Sequence, residues 1–199
     1  MSMPRLFFIF VLTAGVLPGC AMWERVGDRP LVGPDKHFSV SVPKGWMHYK
    51  IDSKAVTVTR DGLPLQMIRV GFWPHSKSFK VLNKRSSADM LPSELAELVV
   101  AVIRKSYATK NARIIENKPV RIAGYHGFAV KIRFKNARGL RYKRDIYGFA
   151  TKEGIYFLMY QAPELYYYPR TRSVFASAVD SLKVMDRNKN KKDEKKEEK

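Results

Sequence analysis

The sequence is poor in the residue types on which most protein chemistry depends. It has one cysteine, Cys20, so no intramolecular disulfide is available. It has four histidines, His37, His48, His75 and His126, and no two stand four apart, so there is no helical His-Glu-x-x-His zinc pair. There is no Gly-x-Ser-x-Gly elbow, phosphate-cradling glycine loop or dinucleotide fingerprint. These absences argue against an enzyme, and no catalytic residue, metal or cofactor is expected. No run of 18 apolar residues occurs either, which argues against a conventional membrane-spanning helix. Acids are scarce as well: 18 Asp and Glu face 37 Lys and Arg in 199 residues, a formal charge of +19. A wholly disordered chain is still excluded, because 45% hydrophobic and 12% aromatic residues suffice for a core.

The two ends differ from the middle. Met1 to Arg5 is a short, positively charged opening, and Leu6 to Val16 is an apolar run of eleven residues, too short to cross a bilayer. This is the pattern of an export signal over residues 1–19. The following Leu17-Pro18-Gly19-Cys20 resembles a bacterial lipobox, with Pro18 its one departure. The resemblance implies that Cys20 receives a diacylglyceryl group on its sulfur, that cleavage occurs just before it, and that the new amino group is acylated. It also implies the outer membrane, facing the periplasm, because Ala21 stands where a retention aspartate would be. The alternative is an ordinary secretory signal with an accidental cysteine, which would leave an exported protein with a free thiol. Residues 20–35, with Gly27, Pro30, Gly33 and Pro34, read as a lipidated tether. Arg187 to Lys199 has no apolar residue and reads as a disordered charged tail. That tail holds seven basic and four acidic side chains, so residues 21–186 keep 29 basic and 14 acidic ones, net +15. The positive charge therefore belongs mainly to the folded body.

Residues 36–186 read as one α+β domain. Alternation at Phe38, Val40 and Val42 predicts a strand, and further strands are expected over 46–51, 55–60 and 65–73. Leu91, Leu95, Leu98, Val99, Val102 and Ile103 form a helical stripe, with Pro92 suited to the first helical position. Four extended segments follow, over 112–123, 125–135, 140–151 and 155–161. Turns are expected at Asn136–Gly139 and Glu153-Gly154. A last helix is expected from about Arg170 to Leu182, started by Pro169, and Lys183 to Met185 returns to the sheet. The fold class is an antiparallel sheet covered by helices.

Two segments carry a family resemblance. Phe38 to Trp46, an amphipathic strand running into Pro43-Lys44-Gly45-Trp46, resembles the opening of PsbP/Mog-type domains. Gly154 to Tyr160 and Phe175 to Lys183 resemble their penultimate strand and closing helix and strand. The resemblance implies an α/β/α sandwich, Trp46 as a core anchor, and a noncatalytic protein. No partner-binding or metal-binding residue carries over.

The basic residues are the remaining signal. Lys131, Arg133 and Lys135 alternate with apolar positions, and Arg141, Lys143 and Arg144 follow across a turn. They form a candidate surface for anionic lipid headgroups, acidic polymers or an acidic envelope protein. Nucleic acid is not expected, because the export signal removes the chain from it. Asp145 reads as the partner in a strand ion pair, not as a general base. Tyr166, Tyr167 and Tyr168 offer a candidate aromatic surface, the plainer reading being that they pack the entry to the last helix. The expectation is a lipid-anchored envelope protein that binds or stabilises an envelope component. Two alternatives stand beside it. One is a lipid or small-molecule module with a pocket between sheet and helix. The other is a hydrolase whose cleft would gather a histidine and a carboxylate.

Overall fold

The computed structural model describes residues 22–106 and 110–185. The leader, Cys20 and the charged tail lie outside the described residues. The chain order is β1 (Trp23–Arg25), β2 (Leu31–Val32), a 3-10 turn (Pro34–Lys36), β3 (Phe38–Val40), β4 (Met47–Tyr49), β5 (Ala55–Thr59), β6 (Met67–Pro74) and α1 (Pro92–Lys105). There follow β7 (Lys110–Ile122), β8 (Tyr125–Lys135), β9 (Arg141–Ala150), β10 (Gly154–Pro163), α2 (Tyr167–Asp180) and β11 (Lys183–Val184).

Eight strands form one antiparallel sheet in the order β1-β4-β5-β6-β10-β9-β8-β7. A second, three-stranded antiparallel sheet has the order β11-β3-β2. The closing strand and the first expected strand thus pair with each other, outside the main sheet. Strand alternation sorts the apolar residues into two cores. Tyr156, Leu158 and Tyr160 of β10 share one face with Val70 and Ile68 of β6, and pack against Phe38, Val40, Phe175 and Ala178. This face carries α2 and the small sheet. Trp46, 3% exposed, is anchored in the same core. On the opposite face Phe128, Val130, Ile132 and Phe134 of β8 receive Leu95, Ala96, Leu98 and Ile103 of α1. Each such side chain, fully buried, contributes roughly 1.5–3 kcal/mol of transfer free energy. Pro92 opens α1, and Glu94 folds back to accept the Leu91 N–H at 2.7 Å.

Two expectations need correction. Residues 22–35 are not a free tether. Trp23–Arg25 pairs with β4, Leu31–Val32 pairs with β3, and Val26 is buried in the core. The proline and glycine residues that suggested a linker instead form the turns between very short strands. The two residues from Cys20 to Met22 reach at most about 7 Å, at ~3.3–3.6 Å per residue. The last helix begins at Tyr167, three residues early, with Pro169 inside its first turn. Proline is tolerated there because first-turn N–H groups have no intrahelical acceptor. Among the described residues, no helix is long and apolar enough to cross a membrane.

Candidate functional site

The β8–β9 hairpin sets Lys131 opposite Asp145, Arg133 opposite Lys143 and Lys135 opposite Arg141, all on the face that bears α2. The next hairpin continues the pattern. β10 ends at Pro163, opposite Tyr142, so Glu164 falls beside Arg141 and its N–H donates to the Arg141 carbonyl at 3.0 Å. The Glu164 carboxylate is 10% exposed and meets three cations: Arg133 Nη2 at 2.6 Å, Lys143 Nζ at 3.4 Å and Arg141 Nε at 3.8 Å. One β-strand away Asp145, 2% exposed, accepts the Tyr168 hydroxyl at 2.7 Å and Arg172 Nε at 3.1 Å. Lys143 Nζ lies 5.3 Å from the centre of the Tyr168 ring. Lys131 is held by Glu116 of β7 at 2.9 Å.

This arrangement has a physical logic. A carboxylate taken out of water is costly unless cations and hydrogen-bond donors surround it. Glu164 and Asp145 are buried and supplied with donors, while Arg133 and Arg172 remain 49% exposed and Arg141 60% exposed. A guanidinium has five N–H donors, so each arginine keeps outward donors after pairing. The buried acids thus orient the cations, and the cations outnumber them. Hydrogen bonding to Asp145 raises the Arg172 pKa above its usual value. Burial, followed by the Asp145 contact, pushes the Tyr168 phenol well up, so it stays a neutral donor. A shallow cavity of about 500 Å³ opens between Lys143, Glu164, Tyr168, Pro169 and Arg172.

The structure brings Lys131, Arg133, Lys135, Arg141 and Lys143 to one face and leaves Arg144 on the other. Arg144 lies opposite Ile132, donates to Gln161 Oε1 at 2.9 Å and stacks 4.7 Å from the Phe134 ring centre. Burial lowers its pKa to about 10. The three tyrosines also separate. Tyr166 is exposed beside Arg170, Tyr167 is half-buried, and Tyr168 is buried. The partner of Asp145 comes from α2, not from its own strand. Sequence reasoning missed Glu164 and the pairing of Arg172 with Asp145. Glu164 was within reach, because the turn at Glu153-Gly154 sets the β9–β10 register; Arg172 depends on how α2 docks.

The histidines are placed apart. His37 is buried and stacks on Phe72 at 3.8 Å, and His48 lies in β4, its pKa lowered by burial. His75 sits between Ser86 and the Thr151 carbonyl, and His126 meets Arg121. Among the described residues, no group of three or more His, Cys, Asp or Glu side chains is arranged to hold a metal.

The domain matches solved structures across most of its length. The protein Mog1, solved as a point mutant, superposes with a TM-score of 0.55 at 10% identity, covering 81% of this chain and 97% of that one. The domain has the PsbP/Mog-type α+β fold. The same architecture matches LpqN of Mycobacterium tuberculosis, with a TM-score of 0.53 at 10% identity over 82% of this chain and 91% of that one. It also matches a protein of Bacteroides thetaiotaomicron with a TM-score of 0.50 at 11% identity. There 81% of this chain is covered, and it spans only 50% of the larger protein. No protein-family model matches the chain, and no curated protein matches it. At these identities the likeness is one of fold.

Proposed function

We propose that this protein is a noncatalytic, lipid-anchored component of the cell envelope. Cys20 carries the anchor, and the PsbP/Mog-type domain binds an acidic envelope component on the cationic face around Glu164. The observation that carries the reading is the convergence of Arg133, Arg141 and Lys143 on one buried carboxylate beside Arg172. Such a cluster is pre-oriented, keeps outward donors and has surplus positive charge. Each Lys or Arg brought to an anionic surface contributes roughly 1 kcal/mol, screened beyond ~8–10 Å.

The anchor reading rests on the lipobox-like Leu17-Pro18-Gly19-Cys20 and on Cys20 being the one cysteine of the chain. A lipid at Cys20 holds β1 against the bilayer, and Trp23 and Ile51, 37% and 58% exposed, flank the point where the described chain begins. Ala21 in place of aspartate favours the outer membrane, facing the periplasm. LpqN is described as involved in cell envelope biogenesis in its own organism, which fits an envelope setting for this fold.

Two experiments separate the two halves of the reading. Intact-mass analysis of the membrane-extracted protein should show a chain starting at Cys20 with acyl chains attached, and Cys20→Ala should leave the membrane fraction. A chain beginning at Met1, or one without fatty chains, would remove the anchor. Pull-down from membranes should recover a specific partner, and Arg133→Glu with Arg141→Glu and Lys143→Glu should reduce its recovery. Equal recovery by that variant would remove the cationic face from the reading.

A further inference from the structure

A second cationic surface lies beside the start of β1. The Met22 carbonyl accepts the Lys50 N–H at 2.9 Å, so the chain enters β1 next to the turn that joins β4 to β5. Cys20 stands two residues before Met22. The turn and β1 expose apolar side chains: Ile51 is 58% exposed, and Trp23, packed on Tyr49 at 4.8 Å, is 37% exposed. Lys54, at the end of the same turn, lines one cavity with Lys77, Lys80 and Arg85 of the loop after β6. That loop is held together where the Phe79 N–H donates to the Lys84 carbonyl at 2.7 Å, and between them it exposes Val81. Anchor position, exposed apolar groups and cations therefore share one end of the domain.

The charge here differs from that of the Glu164 cluster. Lys54, Lys77, Lys80 and Arg85 are exposed, and none of their side chains forms an ion pair among the described residues. Asp35 is the one carboxylate lining their cavity, while Asp52 is paired with Arg69 and Glu24 with Lys50. No buried acid orients these cations. Long cationic side chains around exposed aliphatic and indole groups suit dispersed negative charge above an apolar layer, which is the headgroup region of a bilayer. We infer that this end of the domain docks on the leaflet that holds the acyl chains. Lys54, Lys77, Lys80 and Arg85 meet anionic phospholipid headgroups, and Trp23, Ile51 and Val81 enter the interface. The inference rests on the anchor reading, because Cys20 fixes where the bilayer lies. Each cation brought to an anionic leaflet strengthens the contact about fivefold. Docking also sets orientation. Arg141 and Lys143 lie on β9, five strand positions from β1 in the sheet order, about 24 Å away at ~4.8 Å per strand. That exceeds the screening length of ~8–10 Å, so end-on docking leaves the Glu164 cluster clear of these headgroups and open to a second component.

The test uses the protein extracted from its own membrane and added to preformed vesicles, either of phosphatidylcholine alone or of phosphatidylcholine with phosphatidylglycerol. A trace of a water-soluble amine-acetylating reagent is applied, and peptide mass spectrometry reads each lysine. Lys54, Lys77 and Lys80 should be acetylated at least about fivefold more slowly on the phosphatidylglycerol vesicles than on the neutral ones, and about 0.5 M salt should remove the difference. Lys135 and Lys143 should react equally on both. Lys77→Glu with Lys80→Glu, both at exposed positions, should restore the reactivity of Lys54. Intact mass of the same sample reads the anchor separately. An acylated chain whose Lys54, Lys77 and Lys80 react alike on both vesicles would overturn the docking and leave the anchor standing. Protection of Lys143 in their place would overturn it too, by showing that the Glu164 face lies on the lipid. A chain without acyl groups would overturn both readings.

Discussion

The Tyr168 hydroxyl donates to the buried Asp145 carboxylate across 2.7 Å and so ties the first turn of α2 to the middle of β9. The same tyrosine ring packs against Tyr160, whose own hydroxyl reaches Thr171 at 2.7 Å, and burial pushes the Tyr160 phenol up to about 12. The helix is therefore docked by neutral phenols acting on fixed acceptors. Tyr168→Phe keeps the ring and deletes one donor to a buried charge. A hydrogen bond to a charged group contributes about 1.5–3 kcal/mol. Urea denaturation should show a loss of that size; a change below about 0.5 kcal/mol would mean that Arg172 alone satisfies Asp145.

Glu164 should prove a structural residue of the cationic cluster. Glu164→Gln removes the one carboxylate shared by Arg133, Arg141 and Lys143 and leaves three positive groups in mutual repulsion. The expected result is a lower thermal midpoint at low salt, partly recovered as added salt screens the repulsion. A midpoint that ignores ionic strength would show that Glu164 does not govern these charges.

Arg144 should separate from its sequence neighbours. Its guanidinium is bound to Gln161 and stacked on Phe134, on the face away from the cluster. Arg144→Ala should cost roughly 1–2 kcal/mol in lost stacking and hydrogen bonding. Recovery of the envelope partner by the folded variant should be unchanged. Reduced recovery at full stability would instead make Arg144 part of the binding surface.

Acid should destabilise the fold through Asp52 and Glu116. Burial pushes the Asp52 carboxyl up, but hydrogen bonds from Arg69 and Thr57, the Arg69 charge and the Lys54 N–H together pull it below its usual value. Hydrogen bonds from Lys118 and Lys131 lower Glu116 from 4.5 to about 2. Both groups have lower pKa values folded than unfolded. Their contribution is complete above the usual carboxylate range and is lost as pH falls through the folded values. Urea midpoints should therefore drop from about pH 6 to about pH 3, and Asp52→Asn should flatten that slope. An unchanged slope in the variant would remove Asp52 from the acid response.

Much of the fold was legible because strand and helix periods differ. The alternation from Tyr125 to Lys135 marks β8 from end to end, and the stripe from Leu91 to Ile103 marks α1 to within a residue or two. The same alternation separates Arg144 from Arg141 and Lys143, so the division of the basic run was open to parity alone. β1 and β2 were not legible. Segments of three and two residues have no period to detect, and only their pairing with β4 and β3 makes them strands. Nor was the cavity lined by Pro34, Lys54, Phe72 and Lys77, whose walls come from segments far apart in the chain.

By itself the sequence determined the α+β class, the order of the long strands and two helices, and the concentration of positive charge in the body of the chain. Those properties are local or additive: hydrophobic period, turn residues and charge count need no knowledge of distant neighbours. Tertiary structure alone decided that β3 and β11 leave the main sheet, that Arg172 reaches Asp145, and that Lys54, Lys77, Lys80 and Arg85 surround one cavity. These depend on how sheets and helices pack, where pairing and burial join residues far apart in the chain, and no local pattern records which ones meet.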